Sequence, residues 1–400
     1  MPTAPAPVPR AVLALGFVSL LMDVSSEMTY ALLPVYLVTV MGAPMAAVGV
    51  IEGVAQATAA IVKVFSGALS DWLGRRKALA VLGYGLAALT KPVFPLAPTL
   101  GWVVAARFLD RVGKGLRGAP RDAMIADLAP PEARGAAFGL RQSLDLAGAF
   151  LGPLGAMAGV WLFAGNLRAV FWVAVLPAFA AVALLIVAVP EPARSARAAA
   201  RFPLRRAELG RLSRAYWLVT GVAGLLTLAE FSDAFLILKA RDVGLPLALV
   251  PLTLVGVNLV SSLAAWPAGV LSDRAGRIGV LAAAFPLLIA ADLVLGLGTG
   301  LAALSLGVAL WGLHVGLSQG LLATLVADIA PAGLRGTAYG VFNLITGVAL
   351  LIASTLAGAL WQTAGAGATF LAGAALAAAG LAALGLAHRA IPTLGARPKA

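Results

Sequence analysis

The chain of 400 residues contains no cysteine. Disulfides and thiolate-held metals are excluded, and nothing follows about compartment. Histidine is almost as scarce, at two residues, which leaves little general-base chemistry. No Ser/His/Asp set and no HExxH string is present, so hydrolytic catalysis has no equipment. The GxxxxGK[ST] phosphate loop is missing too, which argues against ATP hydrolysis. Charge is sparse at 12%, against about a quarter of residues in soluble domains. Acids are rarer than bases, 17 against 29, for a net charge of +12. The first eleven residues, MPTAPAPVPRA, lack a basic leader and a small-residue cleavage site. No removable signal peptide is expected, so the first helix stays as an anchor.

What is present is apolar: 61% of the residues. The apolar windows recur along the whole chain at near the roughly 20 residues that cross a bilayer. About twelve helices are expected, over 11–39, 46–70, 78–97, 99–120, 136–160, 168–189, 214–240, 246–271, 279–298, 301–326, 337–361 and 366–388. The alternation a membrane barrel needs is absent, and helices remain the way to satisfy the backbone in lipid.

The chain is duplicated. GALSDWLGRRK at Gly67–Lys77 returns as GVLSDRAGRIG at Gly269–Gly279, with six of ten positions identical between 66–75 and 268–277. ADLAPPEARGAAFG (Ala126–Gly139) returns as ADIAPAGLRGTAYG (Ala327–Gly340) with eight of fourteen identical. Two unlinked strings at nearly one spacing mark an internal repeat, and in an apolar chain a transporter of two matched halves. The expected division is 1–190, a cytoplasmic linker 191–213, and 214–400.

With both termini cytoplasmic, 19 of the 29 Lys/Arg fall in cytoplasmic segments and three (Arg168, Lys239, Arg241) in outer loops. The opposite orientation breaks the positive-inside rule. The positive charge therefore reads as topology, with the seven arginines of Arg194–Arg214 on anionic headgroups, and not as nucleic-acid binding.

The GxLSDxxGRRK loop resembles the signature loop of the major facilitator superfamily, and its weaker copy sits where that family has one. The resemblance covers almost the whole chain. It implies an all-α membrane protein with twelve transmembrane helices in two pseudo-symmetric bundles, working by alternating access in the inner membrane as a monomer. DVSSEMTYALLP (Asp23–Pro34) and RFLDRVGKGLRGAPRDAMIAD (Arg107–Asp127) resemble a prokaryotic branch of that family. Gly139, Gly148, Gly152 and Pro153 resemble the glycine-proline motif of its antiporters, although Ala156 and Met157 replace the closing Gly-Gly. Small residues let helices approach and Pro fixes a bend; generic close packing reads equally well from the residues.

The resemblance implies gating roles for Gly67, Asp71, Gly74, Arg75 and Asp127, and for Asp273, Gly276, Arg277 and Asp328 in the copy. Asp71 is expected at the N-terminus of helix eleven near Gly336, where a carboxylate meets unpaired N–H groups. A mirror contact is expected between Asp273 and Gly135. Arg75 and Arg277 are expected to brace Asp127 and Asp328.

Charges inside membrane helices are costly and face protein or water. All seven embedded cations are in the first half, with Asp23, Glu27, Glu52, Asp110 and Asp145. The second half embeds Glu230, Asp233 and Asp292. Asp23, Glu27 and Tyr30 share a face; Arg107, Asp110, Arg111, Lys114 and Arg117 fall within about 140° of helix four. In the resembled family helices one, four, seven and ten line the cavity, so Asp23, Glu27, Arg107 and Arg111 are expected together. These charges either neutralise one another structurally, or Asp23 or Glu27 exchanges a proton as a partner moves. His314, with no carboxylate at ligand spacing, reads as a bonded core residue more readily than a metal ligand.

The leading expectation is proton-coupled efflux of a small organic solute. Metal-cation export through Asp23, Glu27, Glu230 and Asp233, uptake of an organic anion by Arg107 and Arg111, and a non-transporting receptor or scaffold are the alternatives. No cofactor and no resident metal are expected; the partners are solute, protons and lipid.

Overall fold

The computed structural model describes residues 9–73, 75–130, 133–192, 209–331 and 334–390. Gly74 and residues 193–208 of the expected linker lie outside the described residues, as do the side chains of Asp71, Gly135, Asp273 and Gly336. The described residues contain helices and no strand.

In chain order the first half gives α1 (Arg10–Tyr30), α2 (Leu33–Thr39), α3 (Met45–Leu73), α4 (Arg76–Thr90), α5 (Val93–Leu96), α6 (Leu100–Leu128), α7 (Arg134–Leu162) and α8 (Leu167–Ala188). The second gives α9 (Arg214–Ala229), α10 (Ala234–Asp242), α11 (Leu252–Ala275), α12 (Arg277–Leu297), α13 (Gly300–Ile329) and α14 (Arg335–Ala390). Among the described residues, ten segments are long and apolar enough to cross a membrane. α6 is not among them despite its 29 residues, because its charges lower its apolarity. Four of its five cations are buried in protein, Arg107, Arg111, Arg117 and Arg121, while Lys114 is exposed. Large apolar side chains such as Trp161 (80% exposed) and Val187 (84%) face outward, as a lipid-facing surface requires.

Several expected boundaries change. The window 11–39 is two helices, α1 and α2, parted just before Pro34; Pro is tolerated early in α2 and would disrupt one continuous helix. Residues 214–242 break likewise between Glu230 and Asp233. The windows 337–361 and 366–388 are the two parts of α14, divided by a kink at Gly365 (φ 85°) that falls in the expected gap. Capping is local: Asn166 accepts from Ala169 N (3.2 Å) and Ser213 from Tyr216 N (3.2 Å), each satisfying a helix-start N–H.

The chain clusters into two compact units, residues 1–36 with 58–202 and residues 37–57 with 203–400. In the first, α1 packs on α7 and α8, and α4 on α6 and α8. In the second, α9 packs on the first part of α14, where Tyr216 Oη donates to Ala338 O (2.8 Å). α12 packs on α13 and on the later part of α14. The pairs α1–α7 and α4–α6 of the first unit thus return as α9 with the first part of α14 and α12 with α13, as the duplicated sequence requires.

Candidate functional site

Four elements of the first unit, α1, α4, α6 and α7, bring charge together. Lys91, at the end of α4, donates from Nζ to Asp110 Oδ1 (2.9 Å) and to Ser26 Oγ (3.2 Å). Asp110 Oδ2 takes Arg111 Nη2 at 3.1 Å. These three charged side chains are 2–3% exposed. The Arg107 guanidinium lies 4.9 Å from the Tyr30 ring centre, and that of Arg117 4.8 Å from Tyr84, within cation–π range.

Asp23 of α1 pairs with Arg117, at 3.4 Å, and not with Arg107. A second layer follows on the same face. Ser19 Oγ lies 3.2 Å from Tyr84 Oη and accepts from Arg121 Nη1 (2.9 Å). Arg121 also meets Asp122 (3.1 Å) and Asp145 (3.6 Å), while Arg141 binds Asp145 at 2.5 Å across one helical turn. Glu27 has no hydrogen bond or ion pair to its carboxylate among the described residues. Lys114 lies within electrostatic reach of both Glu27 and Asp23. The expected grouping is therefore redistributed: Asp23 goes to Arg117, Arg111 to Asp110, and Arg107 to Tyr30.

α7 seats this cluster. A Cβ on Gly148 would lie 2.9 Å from Asp23 Cβ and 2.9 Å from Leu20 O. A Cβ on Gly152 would lie 2.7 Å from Glu27 Cβ and 2.9 Å from Val24 O. The two glycines of the antiporter-like string therefore abut the backbone of α1 at its two carboxylates, one turn before Pro153 and within it. Any side chain there would hold the helices apart.

The repeated loops form matching ion pairs. Arg76 Nη1 meets Asp127 Oδ2 (2.5 Å) and donates to Ala123 O (3.0 Å). Arg277 pairs with Asp328. Asp127 thus takes Arg76, where the sequence pointed to Arg75. The reason is a one-residue difference between the two repeat spacings. Arg76 opens α4 and Arg277 opens α12, so the helix starts coincide and the matched strings slip by one. Gly276 has φ 87°, a conformation that residues with a Cβ avoid, and this explains glycine there. Gly67 lies in α3, where a Cβ would make an ordinary 3.4 Å contact with Ala119.

In the second unit, Glu230 ends α9 and contacts His314 of α13. Sequence reasoning left His314 without a carboxylate, because its partner is 84 residues away and no local spacing reveals it. Asp233 begins α10, and Glu52 is buried in the part of α3 that clusters with this unit. Tyr84 and Arg121 were likewise not singled out. Their only signal was polar character inside apolar windows.

Ten apolar segments among the described residues, internal duplication and buried charge define a multi-pass membrane transporter. The family model for the Major Facilitator Superfamily matches residues 15–354. The chain belongs to that superfamily. It is 31% identical over 360 residues to the uncharacterized MFS-type transporter MJ1317 of Methanocaldococcus jannaschii, covering 87% of each chain. It is 27% identical over 382 residues to the inner membrane transport protein YajR of Escherichia coli, covering 92% of this chain and 81% of that one. Among solved structures, a bacterial homolog of the human lysosomal transporter Spinster superposes with a TM-score of 0.77 at 17% identity, over 97% of this chain and 98% of that one. The last shows the fold.

Proposed function

We propose that this transporter exports a small organic solute in exchange for protons, with Asp23 and Glu27 as the proton-exchanging groups. The observation that carries the reading is the seat of α1 on Gly148 and Gly152. The two carboxyls lie at a crossing close enough to slide and backed by a string similar to that of antiporters. Asp23 holds Arg117 by a single 3.4 Å contact. A proton on Asp23 removes the charge that holds Arg117, and Arg117 remains stacked on Tyr84. Glu27 supplies an adjacent acid, one turn along, that accepts a proton without breaking a hydrogen bond. Two ionised carboxylates one turn apart repel, so protonating one eases the other's charge. The inner-membrane location, with both termini in the cytoplasm, is supported by the skew of Lys and Arg, and action as a monomer completes the reading.

A second reading has one observation behind it. In the cluster built by α1, α4, α6 and α7, the cations Lys91, Arg107, Arg111, Lys114, Arg117, Arg121 and Arg141 number seven, and the acids Asp23, Glu27, Asp110, Asp122 and Asp145 number five; 7 − 5 leaves two positive charges. That surplus suits an anionic solute. Metal export is less well supported, since no group of three acids or histidines is spaced for a metal among the described residues.

The test is reconstitution in liposomes with an imposed pH gradient and an enclosed pH dye, using panels of organic cations and anions. Solute-driven proton flux is expected in the wild type and lost in Asp23→Asn or Glu27→Gln. Undiminished flux in both variants overturns the assignment.

A further inference from the structure

The second unit holds a titratable cluster that the helix-one reading does not use. His314 is wholly buried, and both ring nitrogens are engaged. Nδ1 lies 2.8 Å from Ala284 O. A carbonyl only accepts, so Nδ1 carries the hydrogen. Nε2 is in close contact with Glu230 Oε1. A bare nitrogen lone pair against an ionised carboxylate would be repulsive. The contact therefore requires one proton between the two atoms, on one or the other. Glu230 is the outer member, with its side chain 19% exposed, against 0% for His314.

Asp292 stands on α12 two turns beyond Ala284. It is fully buried, and neither carboxyl oxygen has a hydrogen-bond partner among the described residues. A Cβ on Gly373 of α14 would fall 2.5 Å from Asp292 Oδ2 and 3.0 Å from the Phe231 ring. Glycine thus makes room for the carboxyl. The charged group within its electrostatic reach is another acid, Glu230. The cations of the surrounding elements, among the described residues, are engaged elsewhere. α14 carries no ionisable side chain between Tyr339 and His388, α12 none but Asp292 beyond Arg277, and α13 none but His314 before Asp328. α9 offers only Arg214 and Tyr216 at its start. Asp233, just before α10, and Glu52 in the stretch 37–57 add further acids, Lys239 pairs with Asp242 (3.5 Å), and Arg241 donates to Leu245 O (2.8 Å). An ionised carboxylate without a partner is very costly in such a place.

We propose that Glu230, His314 and Asp292 form a proton-binding site in the second half of the protein. One proton is shared between Glu230 Oε1 and His314 Nε2, entering from water at Glu230. A second is held on the Asp292 carboxyl. Losing the shared proton breaks the Glu230–His314 contact and frees the end of α9 from α13. Placed at the break between α9 and α10, the site occupies the kind of discontinuous helix that transporters use to bind ions.

The chain has only two histidines, so histidine labelled with 15N gives two imidazole signals, and His388→Gln leaves that of His314. The full chain in lipid nanodiscs is titrated between about pH 5 and 9. The His314 signal is expected to change with pH in the wild type. In Glu230→Gln the amide donates to a neutral Nε2, so the contact persists and the signal stays constant over the same range. Infrared difference spectra are expected to show a protonated-carboxyl band that Asp292→Asn removes and Gly373→Ala shifts. That band stays unchanged in Asp23→Asn and Glu27→Gln, which separates this site from helix one. A His314 response that is flat in the wild type or unchanged in Glu230→Gln overturns the shared proton. A band indifferent to both Asp292→Asn and Gly373→Ala overturns the role of Asp292.

Discussion

At the scale of the residue, burial ranks the ion pairs. Asp110 is 3% exposed and serves Lys91 and Arg111 at once; Asp127 is 23% exposed and serves Arg76. Breaking a buried pair leaves uncompensated charge and costs about 3–5 kcal/mol. A partly exposed pair contributes about 1 kcal/mol or less, because water and salt screen it. Asp110→Asn is therefore expected to lower the thermal unfolding midpoint of the purified protein sharply, and Asp127→Asn hardly at all. Equal effects would show that solvent reaches Asp110. The embedded charges were legible from the sequence, since each interrupts an apolar window. Their pairing was not. Four cations of α6 share one face with similar access to α1, and only side-chain reach assigned Arg117 to Asp23 and Arg111 to Asp110.

At the scale of the element, two glycine positions make opposite demands. Gly276 turns the chain between α11 and α12 at φ 87°, and Gly276→Ala is expected to cost about 1–2 kcal/mol. Gly67→Ala places a methyl in ordinary contact and is expected to be nearly neutral. Chemical denaturation of the two variants side by side checks the difference. Gly152→Val is a different case. Its side chain meets backbone of α1 that cannot swing away, and overpacking of this kind costs about 1–3 kcal/mol. It is expected to reduce solute-driven proton flux at least about tenfold while Gly139→Val, with open space around it, leaves flux intact. Comparable flux in the two would remove the α1–α7 crossing from the mechanism. The helices themselves were readable from apolar length. The breaks at Ala31–Leu32 and Glu230–Asp233 were not, because an apolar window looks the same whether its helix is whole or interrupted. The slip from Arg75 to Arg76 escaped the string comparison for a related reason: identity aligns letters, whereas helix starts set geometry.

At the scale of the molecule, residues 37–57 cluster with the second unit although they belong to the first repeat. Gly49 there fits against Ser354 O and Gly358, and Ala46 N donates to Gln362 Oε1 (3.1 Å). Residues 1–202 produced alone would leave that stretch without its packing partners. Co-expression of 1–202 with 203–400 is expected to yield folded protein, and 1–202 alone to aggregate or be degraded, as read by size-exclusion chromatography. A monodisperse, folded 1–202 would show that the grouping contributes little.

The sequence by itself determined the membrane class, the duplication and the family, because apolar length and repeated strings survive without knowledge of contacts. It also located the embedded charges, since lipid tolerates none that lack a purpose. Only the tertiary structure decided who partners whom: Arg117 with Asp23, Arg76 with Asp127, and His314 with Glu230. Each of these joins residues between 51 and 94 positions apart. Helix packing alone fixes which side chains meet over such separations, and no periodicity along one helix encodes it.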